Sequence, residues 1–279
     1  MRPRLIALAV AAFALAALLA LFLHQRFRQA PATMPLTSLA PVAVTRLYAQ
    51  APDAPALLLV HGAAGWRMES PVRASADPDQ VAALLDGLDE ATARHYSVHA
   101  LALPDIGLAP PRLVLRANDI QLEFGTLNPT TLLRYVRRGD TVFLVMDRLL
   151  PLLQAGLWQF VDPHPVPQNA RITRIVLPSA ARSSPPRFIA AWENAVALRV
   201  EPFAPGAART APKITITLAG RSSPLVFALL KRSPQLELAR PDIGVVYVFD
   251  TRDADTLLTP MAATNDARTP GSRNDPPRT

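Results

Sequence analysis

The residues that invite a chemical reading begin at Leu57-Leu58-Leu59-Val60-His61-Gly62-Ala63-Ala64-Gly65: an apolar strand, a histidine, then small residues whose amides could hold an oxyanion. Acyl transfer on such a scaffold needs a serine on a strained Gly-x-Ser-x-Gly elbow, with an acid and a histidine later in the chain. No such elbow occurs, and beyond residue 99 the only histidine is His164, inside Asp162-Pro163-His164-Pro165. A plain strand with a hairpin turn at Gly62–Gly65 is the simpler expectation. His95 and His99 flank Tyr96-Ser97-Val98, but the two-histidine zinc motif has a glutamate directly after the first histidine and a helix beneath both rings. In a strand, residues four apart lie about 13 Å apart, so edge or solvated histidines are expected here. Asp147 and Asp250 each follow an apolar run, where a carboxylate caps the turn or helix that comes next more readily than it forms an acid/base pair. Trp66, Trp158 and Trp192 are too widely spaced for a stacking platform and read as packing anchors. With no cysteine there is no disulfide, thiolate metal site, Cys nucleophile or Cys-linked lipid. The sequence therefore assigns no catalytic, cofactor-binding or metal-ligating residue and calls for no cofactor.

The elements that would position these residues are mostly strands. Pro occurs 29 times and half the chain is apolar, a composition that favours short strands and turns over long helices. Runs with strand character are Ala43–Ala49, Ala56–His61, Ser97–Leu103, Arg112–Leu115, Ile120–Phe124, Leu133–Arg137 and Thr141–Met146. One helix is expected from Asp77-Pro78-Asp79 through Val81, Leu84, Leu85 and Leu88, and another after Asp147 through Leu149, Leu150, Leu152, Leu153 and Leu157. Three segments then recur in order. Val44-Thr45-Arg46-Leu47-Tyr48 returns as Ile172-Thr173-Arg174-Ile175-Val176, and Arg112-Leu113-Val114-Leu115 as Lys213-Ile214-Thr215-Ile216. Val142-Phe143-Leu144-Val145-Met146-Asp147 returns as Val245-Val246-Tyr247-Val248-Phe249-Asp250. The expected fold is α+β and β-rich, an N-terminal transmembrane helix followed by a tandem duplication of a small antiparallel-sheet unit.

The span is Leu5–Leu23, 19 residues without a charge between Arg2 and Arg4 on one side and His24, Arg26 and Arg28 on the other. At about 1.5 Å per residue it measures roughly 28 Å, close to a bilayer's hydrocarbon thickness. An uncleaved signal anchor is expected, with cleavage near Ala30-Pro31-Ala32 as the alternative. The Pro-rich, uncharged stretch 29–42 reads as an extended stalk, and 260–279 as a disordered tail. The resulting division is 1–28 anchor and flanks, 29–42 stalk, 43–160 first half, 161–259 second half and 260–279 tail. The net charge of +7 comes from scattered arginines, Lys213 and Lys231 being the only lysines, and scattered charge argues against a nucleic-acid surface.

Gly65-Trp66-Arg67-Met68-Glu69-Ser70-Pro71 and Asp77-Pro78-Asp79-Gln80-Val81-Ala82-Ala83-Leu84-Leu85-Asp86-Gly87-Leu88 resemble the DUF4340 family of bacterial envelope proteins. The likeness continues through Gly107-Leu108, Pro111-Arg112-Leu113-Val114-Leu115, Phe124-Gly125, Arg134-Tyr135-Val136-Arg137 and Asp140-Thr141-Val142-Phe143-Leu144-Val145, over roughly 43–160. The resemblance implies a single N-terminal helix, a repeated β-rich extracytoplasmic domain and the company of ABC-transporter components of the gliding-motility type. It carries no catalytic set. The chain departs from it by lacking a clear helix in the second half and by its long polar tail. The expectation for function is a single-pass protein of the inner membrane whose C-terminal domain stands in the periplasm as a non-enzymatic binding or scaffolding module. Its expected partners are membrane lipid and an envelope or ABC-transporter protein, with no nucleic acid. A small-ligand receptor with a groove between the halves is the alternative, and an α/β-hydrolase-like enzyme stands behind both.

Overall fold

The computed structural model describes residues 33–92, 94–178 and 185–260. The apolar segment Leu5–Leu23, the start of the Pro-rich stretch and 261–279 lie outside the described residues. Among the described residues no helix is long and apolar enough to cross a membrane. In chain order the first elements are β1 (Met34–Pro35), β2 (Arg46–Gln50), β3 (Leu57–Gly62), β4 (Gly65–Ser70), β5 (Ala74–Ser75) and helix α1 (Pro78–Leu88). They are followed by β6 (Ala91–Thr92), β7 (His95–Ser97), β8 (Leu113–Ala117), β9 (Ile120–Leu127), β10 (Arg134–Arg138), β11 (Thr141–Val145) and α2 (Leu149–Gln154). The remainder forms β12 (Ile172–Val176), α3 (Pro186–Glu193), β13 (Arg199–Pro202), β14 (Lys213–Leu218), β15 (Leu225–Lys231), β16 (Leu236–Arg240), β17 (Val245–Phe249) and α4 (Thr251–Leu258). The chain is thus a β-rich α+β protein of antiparallel sheets with few helices.

Two compact units form. One takes the described residues up to Ala54 together with Ala83–Leu152; the other takes Pro55–Ala82 and the described residues from Leu153 onward. The hairpin segment 55–82 is thus grouped with the later part of the chain.

In the first unit the strands run β2-β8-β9-β10-β11-β7. Leu47 faces Ala117, Leu113 faces Phe124 and Val136 faces Phe143, and period-two alternation buries Leu47, Leu113, Leu115, Leu122, Phe124 and Val136. β11 departs from alternation, with Val142 to Val145 all buried. Its second face is covered by Val98, Leu101, Leu103, Ile106 and Leu108, clustered around Val142. This corrects the expected strand Ser97–Leu103. The ladder stops at Ser97, whose Oγ accepts from the His99 amide at 3.4 Å to start a 3-10 turn, and the apolar residues beyond cover the sheet instead of extending it. A Cβ at Gly125 would stand 2.3 Å from the Ile106 carbonyl, so this covering loop requires glycine at its closest approach.

The expected helix at Asp77 forms. Asp77 Oδ1 accepts from the amides of Asp79 and Gln80 at 2.9 and 3.4 Å, with Pro78 in the first position, and Val81, Leu84 and Leu88 are buried at helical spacing. The second expected helix is shorter than its leucines suggested. It ends at Gln154, Gly156 takes φ 124°, and Leu157 opens a separate 3-10 turn. The Pro-rich stretch is also docked before its end: β1 pairs with β6, Leu36 and Thr37 are buried, and Thr37 Oγ1 donates to the Leu88 carbonyl at 3.1 Å. Burial of Leu36 is reason enough for this segment to leave water, so the folded body begins before Ala43.

In the second unit β3 and β4 form the anticipated hairpin, closed by Gly62 opposite Gly65 at φ 95°, and β5 extends it. The six-stranded sheet runs β12-β14-β15-β16-β17-β13. Every residue of β17 is buried. Trp192 of α3 is fully buried, its ring 5.5 Å from Phe227 and its Nε1 donating to the Leu257 carbonyl of α4 at 3.0 Å. Ala208, Ala228, Ala239, Val246 and Val248 form a separate cluster with Phe203, Ala211 and Leu230. Helices α3 and α4 correct the expectation that this part of the chain lacks one. Each has eight residues and two buried apolar anchors, Phe188 and Trp192 in α3, Ala254 and Leu257 in α4, too few for the sequence pattern to stand out.

The two strand orders correspond member for member, β2-β8-β9-β10-β11-β7 with β12-β14-β15-β16-β17-β13. A register shift interrupts the third-with-fourth pairing in each, between Arg134 and Val136 and between Leu229 and Lys231. The three recurring sequence segments fall on β2 and β12, β8 and β14, and β11 and β17.

Candidate functional site: an arginine-lined pocket

The polar groups of the second unit converge on a pocket of about 160 Å³. Arg67 comes from β4, Arg73 and Ser75 from the β4–β5 turn and β5, Arg221 from the turn after β14, and Arg240 from the end of β16. Asp162 and His164 enter from the loop ahead of β12, and Tyr247 from the middle of β17.

Arg240 is the fixed element. Its side chain is 10% exposed, and its Nε and Nη2 donate to the two carboxylate oxygens of Asp242 at 2.8 and 2.6 Å. Its guanidinium also lies 5.3 Å from the Phe227 ring centre. Burial alone would raise the Asp242 carboxyl, but hydrogen bonding and charge from Arg240 outweigh it and hold the group below the ordinary carboxylate value. Tyr247 is 3% exposed, and burial pushes its phenol up to about 12 despite the opposing charge of Arg240. Its hydroxyl has no hydrogen-bond partner among the described residues. Tyr247 is one of the residues that line the pocket.

At the rim, Arg73 and Arg67 share Glu69, at 3.3 and 3.8 Å. The Arg221 side chain has no partner among the described residues. Asp162 Oδ1 lies 2.7 Å from His164 Nδ1 and accepts the His164 amide at 3.0 Å, and Gln168 Nε2 lies 3.1 Å from the other ring nitrogen. This acid–histidine pair resembles a base with its orienting group, but no hydrogen bond among the described residues joins it to the hydroxyls of Ser75 or Tyr247. The arrangement can hold and neutralise an anion. A larger concavity of about 380 Å³, lined by Trp158, Val161, Leu198 and Val200, is mainly apolar and gathers fewer charged groups.

The residues singled out in the sequence are dispersed. His61 is exposed on β3 with its ring 5.2 Å from Trp66. His95 lies on β7 and His99 in the following turn, both exposed. Asp250 caps α4, its Oδ1 accepting from the Arg252 and Asp253 amides at 2.7 and 2.9 Å. Asp147 departs from the expected cap: it forms a two-pronged ion pair with Arg134, whose Nη1 also donates to the Gly125 carbonyl at 2.6 Å. A guanidinium one strand away outcompetes the helix amides for the carboxylate. Of the residues weighed for chemistry, only His164, set aside for its proline-rich setting, reaches the pocket. The four arginines come from three separate stretches of the chain, 67–73, 221 and 240, and no spacing rule connects them.

Residues 66–185 match the family model DUF4340, described as a domain of unknown function. The chain has no match among curated proteins and none among solved structures. The match opens at Trp66 of the β3–β4 hairpin, takes in α1 and β8 to β11, and closes at Pro185 before α3, so it is this stretch of the chain that is similar to the DUF4340 family.

Proposed function

We propose that the protein is a membrane-tethered, non-enzymatic binding module of the bacterial envelope. Its anchor is Leu5–Leu23, its body stands in the periplasm, and its ligand carries negative charge. The observation behind the binding role is the pocket in which Arg67, Arg73, Arg221 and Arg240 converge beside Tyr247. The tether rests on the uncharged 19-residue run and its arginine flanks. The place beside a transporter of the ABC type rests on the family resemblance. The two sheets are read as a tandem duplication, supported by the matching strand order, the matching register shifts and the three recurring segments.

Detergent extraction of the full chain from its native membrane tests this reading. Co-purification with another membrane protein, and binding of small anions that is lost on substitution of the pocket arginines, are the expected results. A solitary monomer that binds no anion would overturn it.

A further inference from the structure

We infer that the pocket of the second unit receives a phosphoryl group at the end of a larger molecule, an assignment that rests on the binding role proposed above. The donors fix the class. A carboxylate offers two oxygens in one plane and is satisfied by a single arginine fork. Here the only fork aligned that way is taken, because Arg240 is paired bidentately with Asp242. What remains for a ligand arrives from separate elements: Arg221 from the β14–β15 turn, Arg67 and Arg73 from the β3–β5 segment, and the Tyr247 hydroxyl from β17. Donors approaching from several directions suit a tetrahedral group whose three terminal oxygens point apart.

Charge agrees with shape. Glu69 is shared by Arg67 and Arg73 and Asp242 is paired with Arg240, which leaves Arg221 as the pocket arginine with no carboxylate partner among the described residues. Asp162 is turned to His164 and so opposes an anion less than a free carboxylate would. Size agrees as well. A volume of about 160 Å³ is smaller than the usual pocket for a whole cofactor-sized molecule, roughly 300–1,000 Å³, and suits a terminal group while the rest extends past the exposed Arg73 and Arg221.

The phosphoryl group could belong to a soluble ester or to a lipid headgroup, and the test separates them. Full-length protein in non-ionic detergent is titrated calorimetrically with glycerol 1-phosphate, dihexanoyl phosphatidic acid and succinate. Glycerol 1-phosphate binding at least about tenfold tighter than succinate supports the assignment and points to a soluble ester. Binding confined to the phosphatidic acid supports it with a lipid source. Arg221→Gln, at an exposed turn where folding is undisturbed, should weaken the phosphate by at least about tenfold, the loss of one charge-assisted hydrogen bond. Tyr247→Phe should weaken it about three- to tenfold with an unchanged melting temperature. Succinate binding without either phosphate would overturn the phosphoryl class and leave an anion-binding module. Phosphate binding unchanged by both variants would overturn the site, and no anion binding at all would remove this inference together with the reading beneath it.

Discussion

An arginine closes the fourth strand of each unit, Arg138 on β10 and Arg240 on β16, and the two engage different partners. Arg138 Nη1 donates to the carbonyls of Pro35 and Leu36 at 3.1 and 2.7 Å, and its guanidinium lies 5.0 Å from the Phe143 ring centre. Arg240 makes only a long 3.5 Å contact to the Pro165 carbonyl and gives its better donors to Asp242. Both therefore reach back to a Pro-apolar dipeptide ahead of the first strand, Pro35-Leu36 before β2 and Pro165-Val166 before β12. In the first unit the segment is drawn in, with Leu36 and Thr37 buried and the arginine satisfied. In the second, Pro165 and Pro167 become part of a pocket wall. One strand order thus supports a closed corner in one unit and an open, charged corner in the other.

The comparison can be broken hardest at Leu36. Leu36→Ala should destabilise the first unit by about 2–5 kcal/mol, since the residue is wholly buried, as read from guanidinium denaturation of the detergent-solubilised chain. An effect below about 1 kcal/mol would mean the corner is not closed in solution. Arg134→Leu should cost about 3 kcal/mol by leaving Asp147, four-fifths buried, without its partner, whereas β16 begins with Leu236 and has no such pair to lose. Replacing Asp147 at the same time with Asn should restore much of that loss, and no recovery in the double variant would argue that Arg134 acts through packing. Asp250→Ala should cost about 1 kcal/mol through the lost α4 cap, a smaller effect than breaking the Arg134 pair although both aspartates end equivalent runs.

The smallest effect is in pH. Burial raises the Tyr247 phenol to about 12 from its ordinary 10.0, so the folded chain holds its proton where the unfolded chain has released it. Stability is unaffected below pH 10 and falls as pH rises from 10 toward 12. Tyr247→Phe should flatten that decline in alkaline denaturation curves, and an unchanged slope would show that the phenol is not buried in its neutral form.

Much of the frame was legible because it depends on local chemistry. The β3–β4 hairpin follows from Gly62 and Gly65, α1 from Asp77-Pro78, β8 to β10 from alternation of apolar residues, and β11 from its unbroken apolar run Val142–Val145. What escaped reading depends on distant partners. Ser97–Leu103 has strand-like residues, yet its apolar side chains are claimed by the face of β11. Asp147 reads as a cap until Arg134 is brought beside it. The pocket was the least legible feature, since its arginines are ordinary surface residues in the sequence and Tyr247 is hidden in a strand apolar on both sides. Only the fold makes neighbours of positions 67, 221 and 240.

The docking of residues 34–37 has a mechanical side. Tension applied to the chain ahead of Met34 meets the β1–β6 pair, the Thr37 hydroxyl and the Arg138 Nη1 hydrogen bonds before it reaches β2. These contacts lie on different elements of the first unit, so a tug is shared out over α1 and β10 instead of peeling one edge strand. Whatever lies ahead of residue 33 is thereby joined to the body by a strain relief, and β2 stays in register while the lead-in is pulled.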